Sequence, residues 1–162
     1  MNTTTIVERD AIRAVLMTPE HEVLLMRVRP PDTTESFWIL PGGGMDAGET
    51  PEDCLRRELR EELGLAQFTV GPLVWRRRHT FNWAGRRIRQ REWYHVIAIE
   101  KFVPRMCDPI ESKTVDCFRW WSVRELSVTR ERLTPLTLAE IVTRYIHDGS
   151  PPEPLDEEVL VD

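Results

Sequence analysis

The chain has 162 residues, 41% of them apolar and 30% charged, with a net charge of −5 at pH 7. That length and balance predict one domain with a core of ordinary size, and the acidic total argues against a general nucleic-acid binder. No apolar run approaches the ~18 residues of a membrane span, and the opening "MNTTTIVERD" lacks the basic and apolar segments of a signal peptide. Cys54, Cys107 and Cys117 are odd in number and far apart, which reads as free thiols in a reducing cytoplasm rather than a disulfide framework or zinc site.

Two short segments rich in Val, Leu and Ile, Ala11–Met17 and Glu22–Val28, flank a proline-containing turn and predict a hairpin of strands. After the loop "PPDTTES", Phe37–Leu40 predicts a short buried strand. It runs into "PGGG", where glycine permits a tight turn and close approach to a ligand. A helix follows with a well-marked start: Thr50 suits the N-cap, Pro51 the first turn, and Glu52 and Asp53 the positive end of the dipole. Leu55, Leu59 and Leu63 recur every four residues as a core stripe, and Gly64 marks the end. From Phe68 to Lys101 the pattern is that of two long strands around "WAGR", with Trp75, Arg77, His79, Phe81 and Trp83 on one face. Phe118–Val123 predicts a further strand and Pro135–Gly149 an amphipathic helix. Residues 150–162 read as a proline-rich acidic tail, mobile or docked on a neighbour, beyond a single domain of residues 1–149.

The first helix raises an electrostatic problem. At about 100° per residue, Glu58, Glu61 and Glu62 fall in one arc beside the leucine stripe. Glu58–Glu62 and Glu58–Glu61 are like-charged neighbours, each unfavourable by a few tenths of a kcal/mol even in water. Arg57 reaches Glu61 but cannot neutralise three acids. A solvated acidic face and a divalent-cation site both account for the pattern on wheel geometry alone. The neighbouring glycine turn favours the cation, because backbone polar groups beside Mg²⁺ or Mn²⁺ suit a phosphate-bearing ligand.

Gly43, Glu49, Arg57-Glu58-Leu59, Glu61-Glu62 and Gly64-Leu65, at these spacings, resemble a complete Nudix box, the signature of the MutT-like hydrolases. The resemblance implies an α/β fold, an α/β/α sandwich around a mixed β-sheet with a glutamate-rich catalytic helix. It also implies hydrolysis of a nucleoside diphosphate linked to another moiety. By that likeness Glu58, Glu61 and Glu62 and the carbonyl of Gly42 hold Mg²⁺ or Mn²⁺, while Glu49 and Arg57 buttress the loop against the helix. The base that takes the water's proton is a box glutamate or a later acid, with Glu111 and Asp116, read as loop residues, as the later candidates. No organic cofactor is implied.

The substrate is less sharply defined. Position 80 is Thr80, not the proline of ADP-ribose hydrolases, and the tyrosine of diadenosine-polyphosphate hydrolases is missing as well. The expected substrate is a nucleoside triphosphate or related small nucleotide, bound by Arg77, Phe81, Gly43 and Gly44. Seven arginines between Arg76 and Arg91, with nearby aromatics, suit phosphates and base stacking; they equally suit a solvated strand face over an aromatic core. Alternatives are an inactive nucleotide-sensing or RNA-binding module on the same fold and an isoprenoid diphosphate isomerase. RNA and membrane are not expected partners, a homodimer is left open, and the expected location is cytoplasmic.

Overall fold

The structure, a computed structural model, describes residues 5–31, 33–107 and 114–159. Strand β1 (Ile6–Met17) begins well before the apolar run at Ala11, and its partner explains why. It lies parallel to β6 (Arg86–Ala98) along its whole length, from Ile6 opposite Arg87 to Met17 opposite Ala98. Glu8 and Asp10, too polar to predict a strand alone, face Arg89 and Arg91 across that ladder and pair with them at 2.8 and 2.9 Å. Cross-strand ion pairs of this kind support strands that hydrophobicity does not mark.

The predicted strands at Glu22–Val28 (β2) and Phe37–Ile39 (β3) are present, and "GGG" itself forms β4 (Gly42–Gly44), antiparallel to β1. Helix α1 (Pro51–Leu63) ends at Gly64, whose φ of 68° is the left-handed conformation that glycine adopts without strain. Strands β5 (Leu73–Trp83) and β6 form the long hairpin, turning at Ala84-Gly85 with positive φ at both residues, as a two-residue hairpin turn requires. Then come β7 (Val115–Ser122), α2 (Val123–Val128), β8 (Leu133–Thr134), α3 (Leu138–Asp148) and β9 (Leu155–Val159).

Residues Leu155–Val159, read from sequence as tail, are an edge strand parallel to β5. Its acids meet hairpin groups: Asp156 binds Arg76 through two bonds of 2.8 and 3.0 Å, and Glu157 accepts from Trp75 Nε1 at 3.1 Å.

One mixed sheet of nine strands joins these elements among the described residues, in the order β8-β3-β2-β1-β6-β5-β9, with β4 paired to β1 and β7 to β2. Its two faces carry separate cores. Leu55, Leu59 and Leu63 of α1 pack on Ile12, Leu16, Leu24 and Ile97, all essentially without solvent contact. Each such leucine contributes about 1.5–3 kcal/mol by burial. On the other face Val15, Leu25, Tyr94 and Trp121 pack against Leu138, Ile141 and Val142 of α3 and Leu126 of α2. Helices thus cover both faces in an α/β/α sandwich, as expected. Among the described residues no helix is long and apolar enough to cross a membrane.

Candidate active site

The loop between β4 and α1 is held by its own side chains. Thr50 Oγ1 accepts from the Asp53 N–H at 3.1 Å, and the Asp53 carboxylate accepts from the Thr50 N–H at 3.3 Å, a capping box worth about 1 kcal/mol. Arg57 then ties loop to helix. Its guanidinium donates to both Glu49 oxygens at 2.7 and 2.9 Å, to the Gly44 carbonyl at 2.9 Å and to Glu58 at 2.9 Å. Glu49 also accepts from the Asp46 N–H at 2.7 Å. The Arg57 bonds, followed by that backbone bond, lower the Glu49 pKa from 4.5 to about 2.

Two of the three box glutamates are buried: Glu58 is 5% exposed and Glu62 2%. Glu62 Oε1 accepts from the Gly42 N–H at 2.8 Å. Glu58 lies so close to the glycine strand that a Cβ on Gly43 would sit 2.4–2.7 Å from its carboxylate, so a larger residue there would displace that carboxylate. Glu58 Oε2 is buried and has no hydrogen-bond partner among the described residues. Burial raises the Glu58 pKa, and Arg57 only partly offsets it. A buried carboxylate oxygen without a donor is costly unless a cation meets it. A hard divalent cation is chemically suited to that oxygen, with Glu62, Glu61 and the second lone pair of the Gly42 carbonyl as further candidate donors. The first lone pair accepts from Arg13 at 2.9 Å. Among the described residues no three His, Cys, Asp or Glu side chains are placed to hold a metal ion by themselves. Mg²⁺ is commonly held by one or two carboxylates together with substrate phosphates, and this donor set has that character.

The Gly42–Gly43 segment and Glu62 also line a cavity of about 620 Å³. Its base is a chain of buried ions. Glu92 (1% exposed) accepts from Arg13 at 3.1 Å and from Arg77 Nε at 2.8 Å, and Tyr94 OH donates to it at 3.4 Å. Burial would raise the Glu92 pKa, but Arg77 and Arg13 outweigh it and the net shift is downward. Beyond Arg77, His79 and Phe81 of β5 stack at 5.0 Å, and Gln90 of β6 lies opposite His79. All three line the cavity.

The predicted site residues therefore divide. Glu49, Arg57, Glu58, Glu61, Glu62, Gly42 and Gly43 come together around the β4–α1 loop. Gly44 supplies its carbonyl to Arg57 and packs its Cα beside the Arg9 guanidinium, but is not part of the cavity lining. Phe81 lines the cavity, whereas Arg77 lines it with a guanidinium already engaged by Glu92 and His79. Asp116 is in strand β7 rather than in a loop. It pairs with Arg27 and Arg29, both at 3.4 Å, and is not part of the cavity lining. A strand forms there because β2 templates Val115 onward through its ladder. Glu111 lies outside the described residues. Sequence reading missed Arg13, Glu92 and Gln90. The available signal was a polar residue at an inward position of an alternating strand, such as Arg13 between Ala11 and Val15.

The NUDIX domain model matches residues 7–144. An RNA pyrophosphohydrolase of Alkalilimnicola ehrlichii is 30% identical over 138 residues, covering 74% of this chain and 75% of that protein. The nucleoside triphosphatase NudI of an Enterobacter species is 70% identical over only 27 residues, covering 17% of this chain and 19% of that protein. The crystal structure of a MutT protein from Methanosarcina mazei superposes with a TM-score of 0.63 at 16% identity, covering 90% of this chain and 97% of that one. With a family match over most of its length, the box glutamates gathered at a glycine loop and the same fold, this chain belongs to the Nudix hydrolases, enzymes that cleave pyrophosphate bonds and typically use divalent metal.

Proposed function

We propose that this chain hydrolyses the pyrophosphate linkage of a nucleoside triphosphate or a related small nucleotide, with Mg²⁺ or Mn²⁺ held by Glu58, Glu61, Glu62 and the Gly42 carbonyl. The observation that carries this reading is the unmatched, buried Glu58 oxygen beside Gly43, which itself lines the cavity with the Arg13–Glu92–Arg77 base. The metal, when bound, neutralises the phosphate oxygens and favours deprotonation of the attacking water. The chain's own residues do the rest. Arg57 and Glu49 keep the glycine strand against α1, and Gly43 leaves the phosphate a path to Glu58. Glu61, with a side chain 39% exposed, is the most accessible box carboxylate, and an oxygen of it not engaged by the metal accepts the water's proton. The water attacks one phosphorus in line, the bridging P–O bond breaks, and the departing phosphate keeps the electron pair. Asp116, occupied by two arginines off the cavity, is a weaker candidate for the base.

The similarity to an RNA pyrophosphohydrolase favours a second reading, a triphosphorylated RNA end as substrate. Against it, much of the basic hairpin is engaged by acids: Arg76 by Asp156, Arg89 by Glu8 and Arg91 by Asp10. The deciding experiment offers a panel of nucleoside triphosphates and a 5′-triphosphorylated RNA with Mg²⁺, following release of phosphate, pyrophosphate and nucleoside monophosphate. Release from free nucleotides, abolished by chelator, is expected. Turnover of the RNA alone would replace this reading with the second, and turnover persisting in excess chelator would end both.

A further inference from the structure

We propose that His79 and Gln90 read the heterocyclic base of the substrate, as a cross-strand pair presenting one fixed donor and one unmatched amide oxygen to the cavity. This rests on the nucleotide reading above and adds to it the residues that recognise the base.

The geometry begins with register. His79 on β5 and Gln90 on β6 are direct partners in the antiparallel ladder, so their side chains share a face, and both line the cavity. The protonation of His79 is set by its neighbour. Arg77 Nη2 lies 3.2 Å from His79 Nδ1, and a guanidinium has only donors, so Nδ1 must accept. The ring proton is then on Nε2. Arg77 cannot turn away, because Glu92 holds it at 2.6 Å, and Arg13 holds Glu92. Burial, and then the Arg77 charge, bring the His79 pKa down to about 4, so the imidazole is neutral at pH 7 with a single N–H.

Gln90 complements it. The residue is 2% exposed, and its Oε1 is a buried acceptor with no hydrogen-bond partner among the described residues. Such groups normally find a donor, and a base with a ring or exocyclic N–H supplies one from the cavity. A base edge with an acceptor beside an N–H therefore meets His79 Nε2–H and the Gln90 oxygen together. Phe81, tilted 30° to the His79 ring at 5.0 Å, and Trp83, also in the lining, offer aromatic faces to the same base.

Calorimetric titration of the four nucleoside monophosphates and of ribose 5-phosphate tests the pair without requiring turnover. The wild type is expected to bind one base at least about 10-fold more tightly than ribose 5-phosphate, the scale of a buried hydrogen bond. Gln90→Met, nearly isosteric but without the acceptor, should cut that ratio by about 10-fold, leaving only what the faces of Phe81 and Trp83 supply. His79→Asn keeps an acceptor for Arg77 but loses the outer N–H and should do the same; His79→Gln, which returns an N–H near the Nε2 position, should recover part of the preference. Melting curves confirm that each variant is folded. The proposal is overturned by a wild type that does not distinguish any base from ribose 5-phosphate. It is equally overturned if folded Gln90→Met and His79→Asn keep the preference. A wild type that binds one base selectively yet hydrolyses no nucleoside triphosphate would leave the reader standing and remove the proposed activity instead.

Discussion

Helix α1 carries Glu58, Glu61 and Glu62 on adjoining turns, and hairpin β5–β6 carries seven arginines between Arg76 and Arg91, yet the two runs of like charge end differently. In the helix the excess persists: Arg57 is shared among Glu49, Glu58 and Glu61, and one Glu58 oxygen is left without a donor among the described residues. In the hairpin much of the excess is met by remote partners. Glu8 and Asp10 come from β1, Asp156 from β9, and Glu92 from within the hairpin itself. A helix brings its own neighbours to its face, so a local surplus of charge stays a surplus. A strand is flanked by whatever the topology delivers, so its local composition does not report its net field.

The contrast can be broken at the helix first. Glu62→Gln or Glu58→Gln should lower turnover by at least about 100-fold, beyond the 10- to 100-fold typical of residues that only support a metal's ligands. Steady-state kinetics with saturating Mg²⁺ measures this, and normal turnover in both variants would mean the surplus charge has no catalytic use. Arg57→Ala should cost about 10- to 100-fold while the protein stays folded, and Arg57→Lys should not restore it, because a single ammonium cannot reproduce the fork on Glu49.

The same surplus predicts a thermal signature. A divalent cation at about 100 times its Kd should stabilise the wild type by about 2.7 kcal/mol, or about 5–10 °C in Tm for a chain this long. Glu58→Gln should abolish most of that shift, and an equal shift in the variant would move the cation elsewhere. A smaller effect concerns acid. Glu49 is depressed from 4.5 to about 2, so its link to Arg57 contributes stability above pH 4.5 that is lost as the pH falls towards 2. Thermal melts between pH 5 and 2 should show Glu49→Gln losing less stability than wild type across that window.

The smallest effects are expected in the hairpin. Arg89→Ala and Arg91→Ala remove exposed pairs, with arginine side chains 44% and 57% accessible, and each should cost less than about 1 kcal/mol. Nucleotide binding should weaken only gently with salt. Single-stranded RNA held along several of these arginines would instead show a log–log slope of about −0.7 per phosphate contact. Steep dependence with negligible nucleotide affinity would show that the hairpin's charge is available after all.

Helix α1 and the loop it caps were legible in the sequence because their determinants are local. Thr50, Pro51, the leucine repeat and Gly64 define the helix through contacts a few residues apart, and Gly43, Glu49 and Arg57 lie just upstream or within it. The strand-rich halves were legible as elements, and the resemblance supplied the layering. Only the tertiary structure decided what the strands are for. It recruited Glu8 and Asp10 into β1, turned Leu155–Val159 from tail into edge strand, and withdrew Asp116 into a ladder beside Arg27 and Arg29. It also assembled the cavity base, in which Arg13 and Glu92 are 79 residues apart and Arg77 is fixed by that pair before it can meet a ligand. The physical reason is the range of the forces involved: helix geometry couples residues within one or two turns, while the field and the hydrogen-bond partners inside a sheet come from segments the chain order leaves far apart.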